Sequence, residues 1–383
     1  MMPQSAANVP FDACQAAGGD VVVYRGPASH RADHDHTTCA ALARLIARIK
    51  GGRYAGEYGR GREYARPLYF VPTDTLVGID DARALGIASD ADLFGGVVPY
   101  PFVATKCISH PLVDDRASTP DGWSQAFAIR VREAVLKGYA AFSVDDALRA
   151  GLRLFDEGLV RIKEALGIGG AGQTVVADRT ALERALAGAD ADEVSRYGIA
   201  LEQHLSDVTT HSVGQVQLDD LLATYCGTQR LTSNNHGQMV YGGSDLFIVR
   251  GGFDALLASN PAPPARRAIE QARVYDSAAL ECFAGMFASR RNYDIAEGSD
   301  AFGRARSGVL EQSWRIGGAS GAEVAALAAF RDDPALERVR ASCTEVYGSD
   351  VSPPAGATVY FQGVDTHAGP LTKYFMLSRD VHP

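Results

Sequence analysis

Three separated groups of polar residues in this 383-residue chain have the types and spacing to handle a charged ligand. The first is Lys163, at the end of a period-two stretch (159–163) followed by Gly167, Gly169, Gly170 and Gly172 and a β-branched stretch at 174–176. That pattern predicts a strand, a glycine turn and a second strand, with N–H groups free to approach a phosphate and Lys163 beside them as a point charge. The second is Glu202-Gln203-His204-Leu205, at the end of a short apolar strand. The third pairs Asp294 on one predicted strand with Glu311, Ser313 and Arg315 on the next. Hard cations such as Mg2+ take carboxylate oxygens together with a nucleotide's own phosphates, and Asp294 with Glu311 fits that need. Arg315 lies on the Ser313 side, and its planar guanidinium suits a carboxylate or a transferring phosphoryl group.

Two common phosphate loops do not describe the glycine turn. Gly167, Gly169 and Gly172 satisfy G-x-G-x-x-G, but Thr174-Val175-Val176 follows where that fingerprint needs a helix. A P-loop lysine follows its glycines, whereas Lys163 precedes them. A hairpin able to fold over a triphosphate remains, beside the plain alternative of a structural glycine turn.

The elements around these groups read as mixed α/β and α+β. A chain of this length buries a large core divided among lobes. A strand at 20–24, a helix carrying Leu42, Leu45, Ile46 and Ile49, and a strand at 68–71 form an N-terminal α/β unit. A polar stretch, 114–122, ends it. Helix, strand, a second helix announced by Ser143-x-x-Asp146, the Lys163 hairpin and a helix at 180–186 make a compact lobe. A second lobe holds strands at 210–218, 292–296, 307–311 and 358–362, with helices at 266–288 and 322–330. The expected domains are 1–119, 120–197 and 198–383.

A net charge of −9 argues against a dedicated nucleic-acid binder. No apolar run is long enough for a bilayer-spanning helix, and the first residues lack a secretory pattern. Six scattered cysteines suit reduced thiols, so the expected location is cytoplasmic. His30, Asp33, His34, Asp35, His36 and Cys39 are crowded, but their spacing matches no closed zinc pattern; Asp35 or Thr37 is expected to cap the helix that follows. The Gly, Arg and Tyr-rich stretch 50–67 reads as a mobile solvated loop, alternatively a lid over an anion or a single-stranded RNA contact.

Taken together, VRIK with GIGGAGQ, GIALEQHL, NYDIAEG and GVLEQSWRIGG resemble, in order and spacing, the motifs of the ATP-grasp superfamily. The resemblance covers about residues 120–320 and implies an N-terminal α/β domain followed by a two-lobed ATP-grasp fold with the nucleotide between the lobes. It implies that Lys163 and the Gly169, Gly170 and Gly172 loop contact ATP phosphates. Glu202, Gln203 and Leu205 would edge the adenine largely through backbone groups, with His204 beside them and His211 near the ribose. Lys106, or alternatively Lys137, would be the earlier ATP lysine. Asp294, Glu311 and Ser313 would hold Mg2+ or Mn2+, and Arg315 would be catalytic. Ser313 stands where the family usually has Asn, which would hold a second metal more weakly or through water. The implied activity is an ATP- and Mg-dependent ligase acting on a small-molecule carboxylate and a nucleophile; alternatives are a degenerate nucleotide-binding module and an RNA-binding protein.

Overall fold

Alternation of apolar residues builds the first sheet. In the computed structural model, which describes residues 18–26, 33–167 and 172–379, strands Arg53–Glu57, Asp20–Tyr24 and Leu68–Pro72 lie side by side in that order, all parallel. Val21, Val23, Tyr69 and Val71 point to the face covered by the helix Asp33–Ile49 through Leu42, Ala43 and Ile46. The opposite face, Val22, Leu68 and Phe70, is covered by Leu93, Ile87 and the crossover between the last two strands. That crossover is the Gly, Arg and Tyr-rich stretch. Tyr58 stacks on Tyr64 at 5.7 Å and tilts on Phe70 at 5.3 Å, and the Gly59 N–H donates to the Tyr64 hydroxyl. Its aromatic rings are therefore spent in packing, and the expected mobile loop is a folded connection. The helix after the histidine-rich stretch begins at Asp33, so Asp35 and Thr37 lie inside it rather than capping it.

The chain then passes through strand Gly96–Val98 and two 3-10 turns, Pro101–Ala104 and Lys106–Ser109. Thr105 begins the second turn by accepting from the Cys107 N–H. Next comes a four-stranded antiparallel sheet in the order Gly138–Ala141, Ile199–Gln203, Val160–Glu164, Gln173–Val176. Helices Val144–Leu154 and Arg179–Leu186 cover one face, their ends set by Ser143 and Asp178 caps. The predicted hairpin is present: Lys163 pairs with Gln173, and Gly172 takes the positive φ (67°) that closes the turn. Gly169 and Gly170 lie outside the described residues.

Beside a small sheet of Phe287–Ala288, Gly96–Val98 and Leu76–Val77, eight strands form one large sheet in the order Ala305–Ser313, Arg290–Ser299, Ser206–Leu218, Leu221–Ser233, Met239–Arg250, Arg338–Tyr347, Gly369–Ser378, Thr358–Asp365. The helix Pro263–Cys282 packs on one face through Ile269, Ala272 and Tyr275, against Val213, Tyr293, Ile295 and Trp314. The helix Ser320–Asp332 packs on the other, against Tyr225, Leu246, Ile248 and Val339. The long helix stops at Cys282, earlier than its apolar run implied, because Gly285 turns with φ 79° into the short strand Phe287–Ala288. Strand 358–362 is not the last in the chain: Gly369–Ser378 follows and inserts beside it.

Candidate active site

The cleft lies where the four-stranded sheet faces the outer strands of the large one. Lys163, Glu202 and Arg161 share a face of the smaller sheet, by the register of the strands that carry them. Lys163 is only 2% exposed; its Nζ lies 2.5 Å from Glu202 Oε1 and also donates to the Leu310 carbonyl at 3.4 Å across the cleft. His110 Nε2 approaches Glu202 Oε2 at 3.2 Å. Burial pushes the Glu202 carboxyl up, but the Lys163 charge and the His110 contact outweigh it and hold it down at about 2. His110 leans on Gly138, where an added Cβ would come within 2.8 Å of the ring, so that position admits only glycine.

Lys106 lies 3.0 Å from Glu311 Oε2 and donates to the Gly167 carbonyl at 2.8 Å. It is 5% exposed, whereas Lys137 is 66% exposed and pairs with Glu157 on the surface. Of the two lysine candidates, Lys106 is the one in the cleft. Its backbone is fixed from behind: Gln312 Nε2 donates to the Thr105 and Val103 carbonyls, and Gln312 Oε1 accepts from the Tyr275 hydroxyl.

Asp294 and Glu311 stand directly opposite each other in the antiparallel ladder, with a bulge just beyond them. Burial first, and then the Glu311 charge, raise the Asp294 carboxyl to about 6. Two carboxylates in register, one of them disfavoured in its charged form, fit a divalent cation. Among the described residues no group of three or more His, Cys, Asp or Glu side chains could hold a metal alone. The pair therefore suits an ion that keeps oxygen ligands from a bound phosphate.

Ser313 lies across the ladder from Asn292 and accepts from Arg290 Nη1 at 3.1 Å through Oγ. Arg290 is itself locked in a buried two-point bond to Glu323, Nε to Oε2 at 3.0 Å and Nη2 to Oε1 at 2.8 Å. Arg315 is half-buried, and its Nη1 donates to the Ile316 carbonyl at 2.9 Å. A Cβ added to Gly317 would lie 3.7 Å from Arg290 Nη2 and 3.8 Å from Arg315 Nη1, so two guanidinium heads flank this glycine. At Gly318 a Cβ would meet the Tyr241 ring at 2.4 Å, which leaves no room for a side chain.

Other sequence candidates are dispersed. Leu205 packs with Leu136, Ala296 and Leu310, an apolar floor beside the cleft. The N–H groups of Gln203 and His204 already donate to the Lys137 and Leu159 carbonyls, and the Gln203 side chain turns to the opposite face of its sheet from Glu202. His204 Nδ1 meets Arg161 Nη2 at 2.9 Å; burial, then the Arg161 charge, lower its pKa. His211 shares the helix-covered face with Val213 and lies 3.4 Å from Glu297, on the opposite side of the large sheet from Asp294.

Sequence reading missed His110, Asn292, Gln312 and Glu323. A signal for Asn292 existed: Arg290, Asn292 and Asp294 alternate with buried Tyr293 and Ile295, a run of polar residues on one face of an otherwise apolar strand.

Most of the chain superposes on solved ATP-grasp enzymes. N5-carboxyaminoimidazole synthetase from Staphylococcus aureus, complexed with ADP, matches with a TM-score of 0.53 at 10% identity, covering 97% of this chain and 96% of that one. Carboxyaminoimidazole ribonucleotide synthase from Aspergillus clavatus, complexed with ATP, matches with a TM-score of 0.50 at 11% identity and 94% coverage of both chains. The fold is thus the multi-domain ATP-grasp fold that the motifs resembled. The chain belongs to the DUF3182 family, described as "Protein of unknown function", whose model matches residues 22–375. No curated protein matches it in sequence. No helix among the described residues is long and apolar enough to cross a membrane.

Proposed function

We propose that this protein is an ATP- and Mg-dependent ligase that activates a small-molecule carboxylate for attack by an amine or related nucleophile. The observation that carries the reading is the convergence of Lys106 and Lys163 with the opposed Asp294 and Glu311 in one cleft of an ATP-grasp fold.

Both lysines are held by protein acceptors in a closed cleft, so nucleotide entry exchanges partners. With nucleotide bound, Lys106 would exchange Glu311 for a phosphate, and Asp294 and Glu311 would together hold the cation. Lys163 keeps its pairing with Glu202 and directs its remaining donors to phosphate oxygens. MgATP supplies a phosphoryl group to the carboxylate. Arg315, beside Gly317, grips the carboxylate oxygens and neutralises charge as they are phosphorylated. Leu205, Leu310 and Ala296 keep that end of the cleft dry. Lys106, Lys163, Glu202, Asp294, Glu311 and Arg315 are the proposed site residues; His211 is assigned no contact. The first and last of the expected domain limits, 1–119 and 198–383, bracket the 120–197 unit that carries Lys163 and is proposed as the lid.

MgATP binding to the folded state is expected to stabilise it. MgATP at about 100 times its Kd adds roughly 2.7 kcal/mol to the folded state. Differential scanning fluorimetry, followed by ADP release against pooled carboxylic acids and amines, checks this. A folded sample with no melting shift at millimolar MgATP contradicts the reading; a shift with no ADP release from any pool favours a nucleotide-binding module that does not turn over.

A further inference from the structure

We propose that Asn292 is a positioning residue that sets Asp294 for the metal, and that a buried set of side chains beneath the helix Ser320–Asp332 exists to fix its amide. This rests on the proposed metal role of Asp294 and Glu311.

Asn292 is 7% exposed and stands two residues from Asp294 on the same strand face. Its Nδ2 donates to Asp294 Oδ1 at 2.9 Å. Its Oδ1 accepts from Ser212 Oγ at 2.8 Å and lies 2.8 Å from the Tyr225 hydroxyl oxygen. The Tyr225 hydroxyl also lies 2.5 Å from Glu323 Oε1, and Glu323 is the carboxylate clamped by Arg290. Three elements thus hold one amide in one orientation: strand Ser206–Leu218, strand Leu221–Ser233 and the helix. With Ser212 donating to the amide oxygen, the N–H2 is turned toward Asp294.

The consequence is specific. An ionised carboxylate can only accept, so an aimed N–H2 fixes the plane of Asp294 before any cation arrives. Partners of metal-binding carboxylates typically govern affinity about 10- to 100-fold. Ser313, the cross-strand neighbour of Asn292, is held at its Oγ by Arg290 Nη1. The arrangement links the cation site to Arg290, and through Gly317 to the neighbourhood of Arg315.

The test is Mn2+ binding, read by electron paramagnetic resonance in the presence of a non-hydrolysable ATP analogue. Asn292→Ala is expected to weaken Mn2+ about tenfold, with metal-free nucleotide affinity unchanged. Mn2+ affinity equal to wild type overturns the inference, as does a parallel loss of metal-free nucleotide binding, which marks general disruption. Should Asn292→Ala not fold, Ser212→Ala decides: it removes one donor to the amide and is expected to weaken Mn2+ severalfold, and an unchanged affinity overturns the inference. Wild-type protein that binds the analogue but no Mn2+ contradicts instead the proposed metal role.

Discussion

Replacing Arg315 with lysine is expected to lower carboxylate-dependent ADP release by about 10²–10³ in kcat while leaving MgATP affinity near wild type. The side chain follows Glu311 by four residues, beyond the end of strand Ala305–Ser313, and its guanidinium flanks Gly317 opposite Arg290. Lysine keeps the charge but loses the fork that holds two oxygens at once. Arg290 cannot take over, because its donors are committed to Glu323 and Ser313. A purely structural role for Arg315 gives a different pattern, with lowered melting temperature and weakened Mg2+ dependence moving together. The measurement is steady-state ADP release on the identified substrate, with melting and ATP titrations alongside. Full turnover by a normally melting Arg315→Lys protein rejects the assignment.

Lys163→Met is expected to destabilise the fold by about 3–5 kcal/mol, the cost of leaving a buried charge without its partner. Glu202 is 1% exposed, and Lys163 is the main charge holding its carboxyl at about 2. The sign with pH follows from that depression. The pairing stabilises the fold above the unfolded carboxyl value, about 4.3, and its contribution fades as pH falls from there toward 2. The difference between wild type and variant is therefore largest at neutral pH and shrinks in acid. Lys163→Met/Glu202→Gln removes the orphaned charge and should regain much of the stability. It should not regain nucleotide affinity, which falls by about 10- to 100-fold when a charged hydrogen-bond donor to a phosphate is lost. Denaturant melts across pH, with ATP titrations of the double variant, separate the two roles. A double variant that binds ATP like wild type places Lys163 in structure alone.

The contrast between these residues and the ones sequence reading missed has a physical basis. The Lys163 hairpin was legible because strand alternation and glycine punctuation are local: Val160 and Ile162 are buried, and Gly172 turns as its residue type allows. The strands of Asp294 and Glu311 were legible for the same reason, and their facing is what the hairpin-like order implies. What pairs with these residues was not. Lys106 meets Glu311, and Tyr225 meets both Asn292 and Glu323, through sheet register and helix docking, which no short window contains. His211 shows the same limit: one residue of register separates it from Ser212, and that residue sends its ring to the other face. The polar hairpin that the sequence suggests at 228–244 is the outer half of the one formed by Leu221–Ser233 and Met239–Arg250, with Thr228 and Arg230 solvent-facing. The strand Arg338–Tyr347 went unread; its alternate residues Arg338 and Arg340 are exposed while Val339, Ala341 and Cys343 are buried.

Calorimetric titration of the wild-type protein with a non-hydrolysable ATP analogue, with and without Mg2+, tests the central claim most directly. Saturable one-site binding is expected to tighten with Mg2+ in wild type, to keep its metal-free component in Glu311→Gln, and to lose it in the Lys163→Met/Glu202→Gln protein. Absence of binding to folded wild-type protein at millimolar analogue, with or without Mg2+, would contradict it.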